Sequence, residues 1–172
     1  CLDEAAADLT RGEDGLWTVA TQRGDDRIDH RARTVLIAAG LGAFQPKRLP
    51  ASEAGAFEGH GLFYAATSMA PFQHQRVLIV GGGDSAVDWA NMLAPVAQSL
   101  TLIHRRDAFR AHEASVTQML AGPTRVLTFN ELRRLEGDGK IERAIIYDNR
   151  THDEQTLEID AVLVNVGFHS SL

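Results

Sequence analysis

The chain has 172 residues, of which 44% are hydrophobic, and a formal net charge of −6. This size and composition are typical of one globular domain, or of one domain with pieces of another. The negative charge argues against a general affinity for nucleic acid, and no apolar run approaches the length of a membrane span. Cys1 is the only cysteine, so the chain has neither a disulfide framework nor a thiolate metal site. We therefore expect a cytoplasmic protein.

The first forty residues have the pattern of β-structure. Residues 16–21 alternate between apolar and polar side chains, residues 23–26 are typical of a turn, and residues 28–33 are expected to form the return strand. Residues 34–39 are a continuous apolar run, which predicts a buried strand that ends at Gly40.

The central feature of the sequence is residues 76–110, which follow a loop-like stretch rich in Ala, Gly and Pro. A short apolar strand, residues 77–80, leads directly into three glycines. A helical pattern comes next, because apolar side chains recur at spacings of three and four. A second apolar strand, residues 100–103, completes the pattern. The sequence therefore predicts one βαβ unit.

The glycine turn has the form of a dinucleotide-binding motif, with Gly81, Gly83 and Ala86 at the positions of the fingerprint and Gly82 between the first two. Gly81 permits a tight turn out of the strand, and Gly83 lets a pyrophosphate approach the backbone. A small side chain at Ala86 lets the helix pack closely on the strand.

Two polar residues follow the glycines at the expected start of the helix. The free N–H groups of a helix start attract phosphate groups. We expect Asp84 to cap the helix and Ser85 to donate a hydrogen bond to a phosphate.

The end of the second strand distinguishes between the two nicotinamide cofactors. An acidic residue at this place binds the ribose 2′-hydroxyl of NAD, whereas an arginine accommodates the 2′-phosphate of NADP. Here the strand ends in His104, Arg105 and Arg106, with Arg110 close behind. Guanidinium groups match a phosphate in charge and shape, so this cluster favours NADPH over NADH. The alternative is a solvated basic loop.

The remainder of the chain continues the α/β pattern. Residues 111–120 predict a short helix, and residues 160–167 predict a final buried strand that ends at Gly167. Between them, an antiparallel excursion is expected, with strands at 125–129, 131–135, 141–148 and 156–159 and a hairpin turn at 137–139. We expect no metal site, and no side chain has the setting of a general base or nucleophile. The list of catalytic residues is therefore empty.

Three stretches together carry a resemblance to a known family: GGGDSAVDWA (81–90), HRRDAFRAHEASV (104–116) and IAAGLGAFQP (37–46). They resemble the NADPH domain of thioredoxin reductase-like flavoproteins, and in detail the ferredoxin–NADP reductases of that architecture. The resemblance implies a Rossmann-like NAD(P)-binding domain flanked by β segments of an FAD domain. It also implies that His112, within RAHE, is a candidate for the cofactor site; the alternative is a solvated histidine on the helix surface.

The resemblance further implies a division of the chain. Residues 1–50 would be a partial FAD-domain segment and crossover, residues 51–165 the NADPH-binding domain, and residues 166–172 the start of the return to the FAD domain. Gly40 and Gly167 would lie near the flavin. Against the family the chain looks like a fragment, which we expect to bind NADPH without transferring electrons.

The implied function is transfer of hydride from NADPH to FAD and of electrons onward to ferredoxin or flavodoxin, in a homodimer. Arg133, Arg134 and Arg143 are candidates for docking an acidic ferredoxin. The alternative is that they are scattered surface charges.

Two alternatives remain at this point. One is a thiol-disulfide reductase of the same superfamily, but the places of its redox cysteines hold Ala65 and Ser68, which form no thiolate. The other is a non-catalytic NADPH-binding module, which fits the glycine and arginine motifs equally well.

Overall fold

The computed structural model describes residues 3–38, 44–50, 54 and 57–170. The chain divides into two compact units, Cys1–Gly42 and Ala43–Leu172. The domain boundaries predicted after residues 50 and 165 remain predictions. Within the described ranges, no helix combines the length and the apolar character that crossing a membrane requires.

The first unit is an antiparallel sheet with the strand order β1-β2-β3. Its strands are Ala5–Arg11 (β1), Trp17–Arg23 (β2) and Asp26–Ala32 (β3). The turn between β2 and β3 has Gly24 at a φ of +59°, the left-handed conformation that glycine adopts without strain. The predicted β-structure, including the turn and the return strand, is confirmed.

The predicted buried strand at residues 34–39 is wrong as far as the structure describes it. Residues 34–38 belong to no strand, and the side chains of Leu36 and Ile37 are 88% and 75% exposed. An extended segment becomes a strand only when another strand pairs with its backbone groups, and no described strand pairs with this one. Ala39 and Gly40 lie outside the described residues.

The second unit is built on a parallel sheet with the strand order β5-β12-β6-β7-β8. Its strands are Leu62–Phe63 (β5), Arg76–Gly81 (β6), Ser99–His104 (β7), Arg125–Thr128 (β8) and Ala161–Asn165 (β12). A short 3-10 helix, Ala70–Phe72, precedes β6. Helix α1, Asp84–Leu93, connects β6 to β7, and helix α2, Glu113–Ala121, connects β7 to β8. The predicted βαβ unit and the second helix are confirmed.

Two smaller groups of strands complete this unit. An antiparallel sheet contains Asn130–Glu136 (β9), Arg143–Asp148 (β10) and Glu154–Glu158 (β11), in the order β11-β10-β9. The strands Phe44–Pro46 (β4) and Phe168–Ser170 (β13) form an antiparallel pair. The antiparallel excursion expected from the sequence is therefore confirmed for β9, β10 and β11. The strand expected at residues 125–129 is not part of it, because β8 pairs in parallel with β7 in the main sheet.

The parallel sheet of the second unit is covered on both faces, which is why β6 is a continuous apolar run. Val77 and Ile79 belong to a buried cluster that includes Ala90 of α1. Leu78 and Val80 belong to a second cluster formed with the antiparallel sheet. The last residues of β6, β7 and β12 line a cleft at the carboxyl edge of the sheet, where ligands bind in open α/β sheets.

Candidate functional site

A cleft of about 650 Å³ lies at the carboxyl edge of the parallel sheet in the second unit. The glycine turn after β6 lies on one side of it, together with the start of α1 and the loop after β7. The other side is formed by residues 46–49, the end of β12 and the antiparallel sheet. The cleft is lined by most of the predicted site residues, which are 81–85, 104–106, Arg110 and Gly167.

Each glycine of the turn has a different spatial constraint. Gly81 has a φ of +151°, and a Cβ atom there would lie 2.3 Å from the carbonyl oxygen of Asn165 at the end of β12. A Cβ on Gly82 would lie 2.4 Å from the ring of His104. A Cβ on Gly83 would meet nothing within 4 Å. The first two glycines are therefore required by protein packing, whereas Gly83 faces open space at the cleft. Ala86, at the last position of the motif, is fully buried.

The start of α1 presents free backbone N–H groups to the cleft. Gly83 is the N-cap residue, and its carbonyl oxygen accepts hydrogen bonds from the backbone N–H groups of Ala86 and Val87 at 3.0 and 3.2 Å. The N–H groups of Gly83, Asp84 and Ser85 donate to no backbone carbonyl of the described residues. Free N–H groups at a helix start form an anion-binding site.

The prediction that Asp84 caps α1 is wrong. Its side chain makes no capping hydrogen bond. Its Oδ1 accepts a hydrogen bond from the backbone N–H of His112 at 2.9 Å instead. The carboxylate therefore joins the start of α1 to the start of α2, a contact across 28 residues of chain.

The arginine loop, residues 105–110, carries three cationic side chains to the rim of the cleft. Arg105, Arg106 and Arg110 are exposed, and none of them forms an ion pair with any residue that the structure describes. The backbone N–H of Arg110 donates to the carbonyl oxygen of Gly82 at 2.8 Å. This bond places the loop beside the glycine turn. Arg105, Arg106 and Arg110 therefore line the same cleft as the free N–H groups.

His104 packs beneath the glycine turn. Its ring stacks on Phe109 with centroids 5.2 Å apart, and its Nε2 lies 3.1 Å from the carbonyl oxygen of Ala108. Burial, reinforced by the neighbouring arginines, lowers the pKa of His104 below its usual value, against the opposing effect of the Ala108 carbonyl. Because a carbonyl oxygen only accepts, Nε2 is the donor in this hydrogen bond.

The other side chains considered in the sequence cap a helix, pack in the core or are exposed to solvent. His112 is the N-cap residue of α2, where its Nδ1 accepts from the backbone N–H of Ala114 at 3.3 Å. Trp89 packs against Phe72 with ring centroids 6.0 Å apart, and Asp88 is exposed.

Several residues that line the cleft were not predicted from the sequence: Lys47, Glu131, Arg133, Tyr147 and Asn165. The side-chain Nδ2 of Asn165 is buried and has no hydrogen-bond partner among the described residues. None of these residues belongs to a local motif. They reach the cleft through strand pairing over long distances in the sequence, so no local signal would have found them.

Comparison with known proteins places this architecture in a family. The family model for pyridine nucleotide-disulphide oxidoreductases matches residues 2–172. The chain belongs to this family. Although the family description refers to disulphides, the only cysteine of the chain is Cys1.

Among the curated relatives of this chain, a ferredoxin–NADP reductase of Symbiobacterium thermophilum is 48% identical over 165 residues, which cover 95% of this chain and 48% of the relative. One of Thermus thermophilus is 49% identical over 175 residues, which cover 99% of this chain and 51% of the relative. The resemblance to ferredoxin–NADP reductases is therefore confirmed. The chain spans about half the length of the curated relatives it matches.

Solved structures support the fold. The crystal structure of a thioredoxin reductase from T. acidophilum superimposes with a TM-score of 0.75 at 22% identity, over 96% of this chain and 52% of that one. The predicted thioredoxin reductase-like α/β fold is confirmed.

Proposed function

We propose that the chain is the NADPH-binding part of a flavoprotein oxidoreductase that passes hydride from NADPH to FAD and electrons onward to ferredoxin or flavodoxin. The observation that carries the proposal is the combination, in one cleft, of a glycine turn with free N–H groups and three exposed arginines. The names of the relatives, which are ferredoxin–NADP reductases, support the same assignment.

The residues of the cleft fit NADPH. Gly83 leaves space for the pyrophosphate, and the N–H groups of Asp84 and Ser85 are free to donate to it. Arg105 and Arg106 are available to hold the 2′-phosphate, with Arg110 assisting, because no described carboxylate pairs with them. A conventional NAD site would have a carboxylate at the end of β7, where this chain has His104 and arginines.

The chain contributes binding and orientation to the proposed reaction. NADPH supplies the hydride when bound, and FAD in the complete protein accepts it. The glycine turn and the start of α1 would fix the pyrophosphate, while the arginine loop fixes the adenosine end. His104, beneath the turn, packs between Gly82 and Phe109 of the arginine loop. The proposed flavin contacts of Gly40 lie outside the described residues, and that of Gly167 remains a prediction.

The docking role proposed for Arg133, Arg134 and Arg143 remains a prediction. Arg134 and Arg143 lie 2.9 and 3.4 Å from carboxylate oxygens of Glu136, and Arg133 lies 3.6 Å from Glu154. These exposed ion pairs would compete with the carboxylates of an acidic ferredoxin. Ferredoxin as the partner follows from the names of the relatives. Flavodoxin, a homodimer and a cytoplasmic location are parts of the proposal that rest on the family resemblance.

The test is made with the complete natural protein. We expect the purified protein to be yellow, with the absorption of bound flavin, and to reduce ferredoxin with NADPH far faster than with NADH. A colourless protein that binds NADPH would indicate a non-catalytic module. Efficient reduction of thioredoxin with NADPH would contradict the assignment, because Ala65 and Ser68 stand at the places of the redox cysteines.

A further inference from the structure

We propose that Asn149 is a positioning residue for the 2′-phosphate site: its side-chain amide holds the arginine loop in place and at the same time restrains a carboxylate, Glu131, that lines the same cleft. The inference rests on the proposed binding of NADPH.

Asn149 lies between β10 and β11, 44 residues from the arginine loop. Its Nδ2 donates to the carbonyl oxygen of Arg105 at 2.9 Å and to Oε1 of Glu131 at 2.9 Å. A side-chain amide nitrogen carries two hydrogens, so both bonds can form together. One side chain therefore connects the loop after β7, strand β9 and the turn before β11.

The turn that carries Asn149 is itself firmly held. The backbone N–H of Asn149 donates to the carbonyl oxygen of Phe129 at 2.8 Å. The Asp148 carboxylate accepts hydrogen bonds from the side chain and backbone of Arg150 and from the backbone of Thr151, which lower its pKa to about 2. The Arg150 guanidinium lies 3.9 Å from the centroid of the Phe129 ring. Asn149 is thus presented to the arginine loop by a turn that has hydrogen bonds of its own.

The backbone of Phe129, which pairs with this turn, has an unusual conformation. Its φ is +58°, a conformation that bulky side chains rarely adopt. Such backbone strain persists only where contacts with the surrounding structure hold the residue in this conformation. Phe129 accepts the hydrogen bond from Asn149 at its carbonyl oxygen and has the Arg150 guanidinium over its ring.

Glu131 explains why a restraint is needed. Its carboxylate lines the cleft together with Arg105 and Arg106, yet it forms no ion pair with any residue in the described ranges. A carboxylate free to turn toward these arginines would occupy their donors and repel a dianionic phosphate. The hydrogen bond from Asn149 holds it in place. Because the donors concerned are those of Arg105 and Arg106, we expect the restraint to affect the 2′-phosphate more than the rest of the ligand.

The test uses two ligands that differ only in the 2′-phosphate, adenosine 2′,5′-bisphosphate and 5′-AMP, titrated calorimetrically into the complete natural protein. We expect Asn149→Ala to weaken the bisphosphate about tenfold and 5′-AMP less than about twofold. Asn91→Ala is the matched control, because Asn91 also donates from Nδ2 to a backbone carbonyl, that of Ser115 at 2.9 Å, but lies outside the cleft. It should change neither affinity.

Glu131→Gln provides an independent measurement, because glutamine keeps the acceptor oxygen for Asn149 and removes the charge. We expect it to strengthen the bisphosphate about twofold with 5′-AMP unchanged. In the double variant Asn149→Ala/Glu131→Gln, the affinity for the bisphosphate should return to within about threefold of wild type.

The outcomes separate this inference from the function on which it rests. A wild-type protein that binds both ligands equally would overturn the NADPH site and the role of Asn149 with it. A wild-type preference for the bisphosphate that Asn149→Ala leaves unchanged, or an equal loss of both ligands, would overturn only the role of Asn149. An unchanged affinity in Glu131→Gln would overturn the part assigned to the carboxylate.

Discussion

The backbone N–H of Arg110 donates a hydrogen bond to the carbonyl oxygen of Gly82 at 2.8 Å. The glycine turn and the arginine loop follow different strands, and this bond joins them directly. In the proposed complex, the pyrophosphate would lie at the turn and the 2′-phosphate at the loop. Their separation would then be set by the protein before the ligand arrives, which lowers the ordering cost of binding.

The first prediction concerns the two arginines that follow β7. Replacing Arg105 and Arg106 by alanine should weaken NADPH by about tenfold or more for each residue, because a hydrogen bond to a charged group contributes about 1.5–3 kcal/mol. The affinity for NADH should change far less, since NADH has no 2′-phosphate. Isothermal titration of both cofactors measures this difference.

Arg125 offers the control for this experiment. It is exposed and forms no ion pair within the described part of the chain. It lies at the start of β8, and therefore at the amino ends of the parallel strands, whereas the cleft lies at their carboxyl ends. Arg125→Ala should leave both affinities unchanged. An equal loss of NADPH and NADH in the Arg105 and Arg106 variants would show that these residues do not recognise the 2′-phosphate.

The second prediction compares two neighbouring glycines. A Cβ at Gly83 meets nothing within 4 Å, so Gly83→Ala should fold normally and weaken NADPH and NADH equally, by intruding where the pyrophosphate lies. A Cβ at Gly82 would lie 2.4 Å from the His104 ring, so Gly82→Ala should destabilise the fold by about 1–3 kcal/mol. Chemical denaturation and cofactor titration of both variants test the contrast. A stable Gly82→Ala protein, or full cofactor affinity in Gly83→Ala, would contradict it.

These contrasts show which parts of the site the sequence could predict. The glycine turn, the βαβ unit and the arginine cluster lie within 35 consecutive residues, and their roles follow from local spacing. Gly82 has a different reason for being glycine, because its constraint is the His104 ring from the next strand. Local spacing does not reveal a contact of that kind.

The wrong predictions have the same origin. Asp84 has the residue type of a helix cap, but its carboxylate has a partner 28 residues away in the N–H of His112. The run at residues 34–39 has the composition of a buried strand, but burial requires a partner strand, which periodicity cannot supply. Asn149 lies in an ordinary polar turn, and only the fold brings its amide to Arg105 and Glu131.

The third prediction concerns pH and the turn that supports Asn149. Hydrogen bonds from Arg150 lower the pKa of Asp148 from 3.8 to about 2 in the folded state. A carboxyl group with a depressed pKa contributes its full stability above its unfolded pKa and loses that stability as the pH falls through its folded pKa. The melting temperature of the wild type should therefore fall more steeply between pH 4 and about pH 2 than that of Asp148→Asn.

Thermal denaturation followed by circular dichroism at a series of pH values makes this comparison. Asp153→Asn is a suitable control, because Asp153 is an exposed carboxylate close to the same turn without an ion pair to a described residue. Its melting curve should keep the pH dependence of the wild type. Parallel pH dependence in the wild type and Asp148→Asn would show that the Asp148 hydrogen bonds do not stabilise the turn.

The most direct test of the central claim is the crystal structure of the complete natural protein with NADP⁺. We expect the 2′-phosphate within hydrogen-bond distance of the Arg105 and Arg106 guanidinium groups, and the pyrophosphate at the backbone N–H groups that begin α1. A cofactor bound with its 2′-phosphate away from these arginines, or with its pyrophosphate away from Gly83, would contradict the account.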